Sequence, residues 1–397
     1  MKNSDVLIIG GGAAGIALAV LLAQAGLQVG VADAGPAPKP LAQTGPDSRT
    51  VALMGGSIDI IKACGIWPAL EGRMAPLCNM AVADDSRYPA GREAMVEQMF
   101  MAEELGRTEF GWNIPLGPLR AALYEAAAKH NNITWHWQTG YKDSAKQKGC
   151  IKVTLMNGDT INAKLLVGCD GRESPVREAA NIGTKRHKYG QSAITCLISH
   201  TKPHNNTSVE FHRPGGPFTY VPMAGNNASV VWVEKTADAD AFLKLPKQAF
   251  TKALEDRTRG KLGKVELVTT PSAWPLEFLR AEKLTAPRIA IAAEAAHVIS
   301  PIGAQGLNLS LRDVNALAET LAEAHAVGLD IGAPTTLANY ERKRKGDVLS
   351  RSFVIDMANQ AVASDTEALR GLRRLTLRAL SLPGPWRQLV MKKGLAA

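Results

Sequence analysis

The sequence lacks the residue clusters that mark disulfide frameworks and metal centres. Its 397 residues include five cysteines, which are scattered and form no Cys-x-x-Cys pair, and the eight histidines show no ligand spacing. An odd number of scattered cysteines argues against a disulfide framework and fits a reducing cytoplasm. We therefore expect neither structural disulfides nor a bound metal.

Uninterrupted hydrophobic runs are also missing. Residues 6–31 are mostly apolar but contain several glycines together with Gln24 and Gln28, which disfavours a membrane span. The acidic Asp5 and the absence of an obvious cleavage site disfavour a secretory signal. With 46% hydrophobic and 21% charged residues, the chain is expected to form a soluble globular protein of two or three domains.

Acidic residues are fewer than basic ones, which gives a formal net charge of +9. No nucleic-acid-binding motif accompanies this charge, so a nucleic-acid partner is not expected. Two interpretations stay open for the basic, amphipathic tail around Trp386: binding to an anionic membrane surface, or a solvated helical face. Its basic residues are the run at 342–345 and Arg370, Arg373, Arg374, Arg378, Arg387, Lys392 and Lys393.

The start of the chain carries the most informative pattern. A buried strand at 5–9 is followed by Gly10, Gly12 and Gly15 at Gly-x-Gly-x-x-Gly spacing. This spacing permits a tight turn, close approach of backbone to a pyrophosphate, and close packing of helix on strand. The helix that begins at Ala13 would direct its amides at the phosphates. A second strand at 28–33 ends at Asp33, which is placed to bind a ribose hydroxyl, so we predict a dinucleotide site.

Two later segments have a similar form. An apolar strand at 164–169 runs into Asp170 and Gly171 before a helix that begins near Ser174. An acid and free amides thus meet at the carboxyl end of a strand, where ligands bind in open α/β sheets.

The third segment is a strand at 288–293 that is followed by Glu294, Pro301 and a helix predicted over residues 305–326. Amides at the start of this helix would stabilise negative charge on the pyrimidine edge of a reduced flavin. Glu294 can hold a ribityl hydroxyl. Between the second and third segments, short alternating runs at 193–199, 208–212, 218–222 and 229–233 predict an inserted antiparallel sheet.

Taken together, these motifs resemble those of flavin-dependent aromatic monooxygenases of the p-hydroxybenzoate hydroxylase group. Within that group the chain is similar to the ubiquinone-biosynthesis hydroxylases of the UbiH/UbiF/UbiL type. The resemblance covers nearly the whole chain. Further matching segments lie at 47–53, 65–67, 216–217, 221–223, 231–232, 275–276, 294–297 and 303–308.

The resemblance implies an α/β fold with a Rossmann-type FAD-binding domain, an inserted antiparallel β-sheet substrate domain and a C-terminal helical segment. We expect the discontinuous FAD-binding domain at 1–75, 110–185 and 275–345. The substrate domain is expected at 76–109 and 186–274, and the helical region at 346–397.

The resemblance also assigns residues. The implied FAD-binding set is Gly10, Gly12, Ala13, Gly15, Asp33, Arg49, Asp170, Gly171, Glu294, Pro301, Ala304, Gln305, Gly306, Leu307 and Asn308. His297 is weighed as a proton shuttle or a packed support, with support favoured, and Asp313 is expected to pair with an arginine. Tyr220, Pro222 and His212 are candidate substrate residues. Two positions depart from the family pattern, because Ala293-Glu294 replaces Gly-Asp and Ala304 replaces a glycine.

The implied reaction is hydroxylation of a polyprenylated phenol in ubiquinone biosynthesis, with NAD(P)H and dioxygen, through a flavin hydroperoxide. Expected partners are a membrane surface and a ubiquinone-biosynthesis complex, with a cytoplasmic location that extends to the inner face of the membrane. Two alternatives stay open. One is the same chemistry on a soluble aromatic acid, and the other is a non-catalytic flavoprotein subunit.

Overall fold

The computed structural model describes residues 2–86, 95–363, 366–381 and 384–394. Its strands are β1 (Lys2–Ile9), β2 (Val29–Asp33), β3 (Thr50–Met54), β4 (Ala75–Leu77), β5 (Asn79–Asp84), β6 (Val96–Met101), β7 (Gly111–Pro115), β8 (Ile133–Trp137), β9 (Tyr141–Gln147), β10 (Cys150–Leu155), β11 (Thr160–Gly168), β12 (Thr184–His200), β13 (Thr207–Arg213), β14 (Gly216–Met223), β15 (Asn227–Lys235), β16 (Val265–Leu267), β17 (Ser272–Ala281), β18 (Thr285–Ala286), β19 (Ile289–Ile291) and β20 (His297–Val298). Its helices are α1 (Ala13–Gln24), α2 (Gly55–Ala63), α3 (Leu116–Ala127), α4 (Pro175–Ala179), α5 (Thr236–Leu243), α6 (Lys247–Arg257), α7 (Gln305–Ala326), α8 (Pro334–Ala363), α9 (Glu367–Ala379) and α10 (Pro385–Gly394).

The first layer is an eight-stranded sheet. Its main path runs β18-β19-β11-β1-β2-β8, and the β9–β10 hairpin extends from β11. The pairings from β19 through β8 are parallel. Helix α1 is buried almost all round and packs against α3 and α7, which explains its continuously apolar sequence.

The second layer is a nine-stranded sheet with the order β20-β17-β12-β15-β14-β13-β5-β6, to which β16 adds beside β12. All its pairings are antiparallel except β13 with β5. Strand β5 comes from an earlier part of the chain, so its direction is independent of the meander it joins. Helices α5 and α6 cover one face of this sheet with Phe250 and Leu254.

A small sheet, β4-β7-β3, joins the two layers. Thr50 donates to Ser229 (2.8 Å), and the buried Asn113 donates to Ser229 (3.1 Å) and to the Pro222 carbonyl (2.9 Å). An apolar group, here called the interlayer cluster, fills the adjacent space. Its members are Ala52, Met54, Leu77, Met80, Val82, Phe100, Ala102, Leu105, Phe110, Val221, Ala304, Leu380, Val390 and Met391.

The predicted fold class is confirmed, with local corrections. Helix α3 begins at Leu116, and Pro118 fits within its first turn because the amides of that turn have no intrahelical partner. The runs predicted between 193 and 233 lie within longer strands, and β12 extends over 17 residues. We retain the predicted domain division as a proposal. Among the described residues, no helix has an apolar stretch that would reach across a bilayer.

Candidate cofactor-binding site

The glycine turn after β1 contains glycines that serve different purposes. A side chain at Gly10, whose φ is +112°, would overlap the carbonyl of Cys169, and one at Gly15 would overlap the carbonyl of Gly10. Gly12 differs, because its φ of −74° suits any residue and no atom lies within 4 Å of the place that a Cβ would take. The protein's own packing therefore does not require glycine at position 12. A ligand that occupies this space against the start of α1 would explain why the position holds a glycine.

Asp33 supports this turn from the end of β2. Its Oδ2 accepts from the Gly11 amide (2.6 Å) and its Oδ1 from the Gly35 amide (2.7 Å). Each carboxylate oxygen has a second lone pair for a ribose hydroxyl. The carboxylate thus holds the loop while it faces the predicted ribose position.

Arg120, on the second turn of α3, was missed by sequence reasoning. Its Nε donates to the Gly11 carbonyl (2.7 Å), and its guanidinium lies 5.8 Å from the centre of the Trp137 ring. Burial lowers the pKa of Arg120, the Asp33 charge opposes this, and the Arg49 charge adds to it. Arg49 itself lies 5.5 Å from the Trp274 ring. Arg120 thus places a cation beside the glycine turn, and Arg49 lies near enough for the two charges to interact, which suits a pyrophosphate.

The second motif presents a carboxylate with spare capacity. Asp170 Oδ2 accepts from the Val176 amide (3.1 Å), whereas Oδ1 is buried and has no hydrogen-bond partner within the described residues. Burial raises the pKa of Asp170, although hydrogen bonds from Ser174 and the Val176 amide oppose the rise. A buried acceptor without a donor is costly, and a ligand hydroxyl would satisfy it. Gly171 follows in the left-handed region, with φ of +86°.

The third motif forms a loop with unusual backbone. Ala293 (φ +59°), Gly303 (φ +67°) and Ala304 (φ +53°) all lie in the left-handed region. Asn308 closes the loop against β3, since its Oδ1 accepts from Met54 and its Nδ2 donates to the carbonyls of Ala52 and Ala304.

Several predicted residues flank this loop. As at Gly12, a Cβ added to Gly306 would have no atom within 4 Å. Gln305 is buried and donates to the Gly303 carbonyl (3.1 Å), and Pro301 and Leu307 are half-buried. Glu294 is exposed, with Oε2 at 3.9 Å from Arg172 Nε, so its carboxylate is accessible.

Behind the loop lies a buried ionic group. Asp313 accepts from His297 Nε2 (2.6 Å), the Ala293 amide (3.0 Å) and Arg344 Nε (2.7 Å). Burial raises the pKa of Asp313, but the charges and hydrogen bonds of His297 and Arg344 outweigh burial and leave it below its usual value. His297 is 2% exposed. This burial and the bond to Asp313 agree with a packed support, which stays a prediction for His297, whereas Asp313 pairs with an arginine as expected.

The three motifs meet at one edge of the first sheet. Ile9 at the end of β1 pairs with Gly168 at the end of β11, which in turn pairs with Ile291 at the end of β19. The buried Arg177 links the second and third motifs, because it donates to the carbonyls of Arg172 (2.8 Å) and Ala295 (2.9 Å). An open glycine cradle, two arginines and a carboxylate oxygen without a donor together fit FAD.

The candidate substrate residues divide between the two faces of β13 and β14. Tyr220 packs with Phe211, Phe218 and Trp232 beneath α5 and α6, on the face opposite Val221 and the interlayer cluster. Side chains alternate along a strand, so Tyr220 belongs to the core of the second layer and is removed from the candidates. Pro222 lies two residues further along β14 and so is on the same face as Tyr220, while its backbone carbonyl accepts from Asn113. His212 lies on the Val221 face, with Nε2 at 2.9 Å from Glu210.

Comparison with known proteins agrees with this geometry. The model of the FAD binding domain family matches residues 3–348. The chain belongs to this family. A relative, ubiquinone hydroxylase UbiL of Rhodospirillum rubrum, is 34% identical over 98% of this chain and 89% of its own length. The 3-demethoxyubiquinol 3-hydroxylase of Escherichia coli is 28% identical over 99% of each chain.

A solved structure supports the fold. The p-nitrophenol 4-monooxygenase PnpA of Pseudomonas putida superimposes with a TM-score of 0.80 at 17% identity, over 100% of this chain and 99% of that one. The present protein is thus an FAD-dependent aromatic-ring monooxygenase, and NAD(P)H is the co-substrate typical of its family. The predicted cofactor and reaction class are confirmed.

Proposed function

We propose that this monooxygenase hydroxylates the aromatic ring of a polyprenylated phenol in ubiquinone biosynthesis. The observation that carries the proposal is the apolar interlayer cluster. It contacts the loop of the third motif, residues 293–308 and here called the flavin loop, at Ala304, and the second sheet at Val221. A substrate ring held between loop and sheet would meet aliphatic and aromatic side chains. The names of the two relatives agree with this substrate class.

A soluble aromatic acid is less well matched to this space. Such a substrate needs a cation or a pair of hydrogen-bond donors for its carboxylate. Arg387, whose guanidinium lies 4.7 Å from the centre of the Phe100 ring in the interlayer cluster, is already paired with Glu104. Arg49, the cation nearest in sequence to β3, faces Trp274. The prenylated substrate is therefore favoured.

In this proposal the chain's residues bind and orient the reactants, and the reaction requires no side chain as a nucleophile. FAD, when bound and reduced by NAD(P)H, supplies the activation of dioxygen. Gly12, Arg49 and Arg120 would hold the pyrophosphate, while Asp33 and Asp170 would accept hydrogen bonds from hydroxyl groups of the cofactor. The amides at the start of α7 would stabilise negative charge on the flavin ring. The interlayer cluster would exclude water from the flavin ring, which would favour transfer of oxygen to the substrate over side reactions with water.

Product analysis tests this proposal. The purified protein should carry FAD and oxidise NAD(P)H faster when a polyprenylated phenol is added. Mass spectrometry should then find a product heavier by one oxygen atom. Stimulation by a hydroxybenzoate or salicylate, with no product from the prenylated phenol, would instead support the soluble-acid alternative. A protein that binds FAD but oxidises no NAD(P)H with either substrate would be the non-catalytic subunit.

We also propose peripheral association with the inner face of an anionic membrane, at the solvent-facing side of α8. Arg342 and Lys345 on that side are followed by Leu349, Phe353 and Met357 at spacings of three or four residues. Basic and apolar side chains on one helix face favour binding in a lipid interface. Phe353 is 63% exposed, which is costly in water alone.

The basic C-terminal helices contribute less free charge than their sequence indicates. Arg373 and Arg374 are turned to the buried Asp84 (3.2 and 3.8 Å), and Arg387 to Glu104 (2.5 Å). The side chains of Arg370 and Lys393 lie outside the described structure. Because these arginines are engaged in ion pairs, we place the proposed membrane contact at α8 and not at α9 and α10. Membership of a ubiquinone-biosynthesis complex stays a proposal of the same standing.

Vesicle flotation tests the membrane proposal. Replacing Phe353 and Met357 with Glu should reduce binding to phosphatidylglycerol-containing vesicles by about tenfold, because both apolar contact and charge attraction are lost. Leu329→Glu, at another exposed apolar side chain, is the matched control. Equal binding by the wild type and the double variant would overturn the proposal.

A further inference from the structure

The interlayer cluster extends from the flavin loop to the end of the chain. Ala304 and Val221 lie at its inner side, whereas Leu380, Val390 and Met391 come from α10 and the end of α9. Leu380 is 7% exposed and Met391 is fully buried. A continuous stretch of packed apolar side chains, here called the path, therefore extends from the proposed ring position to the inner side of the two terminal helices.

The outer side of the same helices is also apolar in part. Leu375 is 65% exposed, and Trp386 and Leu389 are about half exposed. Each helix thus presents apolar side chains both to the cluster and to the outside. A polyprenyl tail that follows the path would meet apolar atoms along its length and reach the surface at α9 and α10.

Charged clamps fasten these helices to the second sheet. Arg373 Nε pairs with Asp84 at the end of β5, and its Nη1 donates to the carbonyl of Ala361. Arg387 pairs with Glu104 and donates to the carbonyl of Met99 (2.6 Å) on the edge strand β6. Arg387 binds both carboxylate oxygens of Glu104, with Nε at 2.5 Å and Nη2 at 2.6 Å, so this pair is the clamp that holds α10 in place.

We propose that α9 and α10 cover the exit of the prenyl tail, and that Leu380 and Met391 determine specificity for a prenylated over an unprenylated phenol. This inference rests on the proposed function. The tail replaces contacts that Leu380 and Met391 make with the cluster, so α10 must move outward for a long tail to pass. A phenol without a tail needs no such movement.

Two tryptophan variants provide the test. Leu380→Trp fills the path, and Leu329→Trp places the same side chain at an exposed position outside the interlayer cluster. We expect Leu380→Trp to lower the ratio of kcat/KM for a polyprenylated phenol to kcat/KM for its unprenylated analogue by at least tenfold. Leu329→Trp should leave that ratio unchanged. FAD content and melting temperature, measured on both, report whether the fold is intact.

A second variant is expected to increase the preference for the polyprenylated phenol, and it keeps the inference testable if Leu380→Trp does not fold. Glu104→Gln weakens the α10 clamp, so the KM for the polyprenylated phenol should fall relative to that for the analogue. A purely structural role for the helices predicts equal losses for both substrates in each variant, and that result would overturn the inference. If the wild type hydroxylates no prenylated phenol, the proposed function fails first and separately.

Discussion

Two alanines in the flavin loop adopt backbone conformations that glycine adopts without strain. Ala293 and Ala304 have φ of +59° and +53°, and both stand where the resembling family has glycine. Left-handed backbone costs an L-residue about 1–2 kcal/mol. The rest of the loop holds this strain: the Ala293 amide is bonded to Asp313 and the Ala304 carbonyl to Asn308.

Removal of the strain should stabilise the protein. We expect Ala304→Gly to raise the free energy of unfolding by about 0.5–1 kcal/mol, since the relief exceeds the entropy that glycine adds to the unfolded chain. Urea titration measures the change. The matched control is Ala128→Gly at the end of α3, where φ is −63°, and this variant should lose stability. A loss at both positions would show that Ala304 is unstrained.

Asp313 is the residue whose charge matters most for the loop. Asp313→Asn removes the buried carboxylate that Arg344 shares with His297 and leaves Arg344 paired with the more exposed Asp347 alone. We therefore expect a loss of about 3 kcal/mol in unfolding free energy. The pKa of Asp313 is lowered in the folded state. Its carboxylate therefore stabilises the fold above the unfolded pKa of about 3.9, and this stabilisation is lost as pH falls through the lower folded value.

A pH series of urea titrations checks this sign. The stability difference between the wild type and Asp313→Asn should narrow as the pH falls below about 4. Asp347→Asn, in a more exposed pair on α8, provides a comparison with a smaller loss. A difference that widens on acidification would contradict the assignment.

At the scale of the secondary-structure elements, helix starts and strand ends build the site. The first turn of α1 leaves amides without intrahelical partners, and Gly12 keeps the space before them open. A larger side chain fits the protein's own backbone there, since φ is −74°. Replacement of Gly12 therefore separates ligand binding from folding.

We expect Gly12→Val to keep the fold and to weaken FAD binding by at least about tenfold, which corresponds to 1.4 kcal/mol. Visible absorbance of the purified protein and titration of the apoprotein with FAD measure the loss. Gly346→Val is the control, because Gly346 is equally open but lies on the exposed side of α8. A Gly12→Val protein with full FAD content would contradict the placement of the pyrophosphate.

The elements also show how far the sequence could be interpreted. Glycine spacing and apolar strands predicted the ends of β1, β11 and β19, because these signals are local. Arg120 carried no local signal, since its partner Gly11 is 109 residues away. Tyr220 is a candidate substrate residue only through its place in the predicted sheet, because alternation shows that a strand has two faces but not which face a second layer covers. The pairing of Arg373 with Asp84, which is 289 residues away, carried no local signal either.

At the scale of the whole molecule, catalysis depends on how the two sheets are held together. The buried Asn113 of the small sheet donates to Ser229 of β15 and to the Pro222 carbonyl of β14. These bonds fix the second sheet over the flavin loop, next to the interlayer cluster. A looser junction would admit water to the space in which the substrate ring is proposed to lie.

We therefore expect Asn113→Ala to lower the fraction of oxidised NAD(P)H that yields hydroxylated product several-fold, with FAD content maintained. The Pro222 carbonyl loses its donor, which costs about 1–3 kcal/mol if it stays buried, so the sheets would separate enough for water to reach it. Simultaneous assay of NAD(P)H oxidation and product formation measures this coupling. Asn315→Ala, on the surface of α7, should leave the coupling unchanged. If Asn113→Ala lowers both rates equally, the junction positions the substrate without controlling access of water.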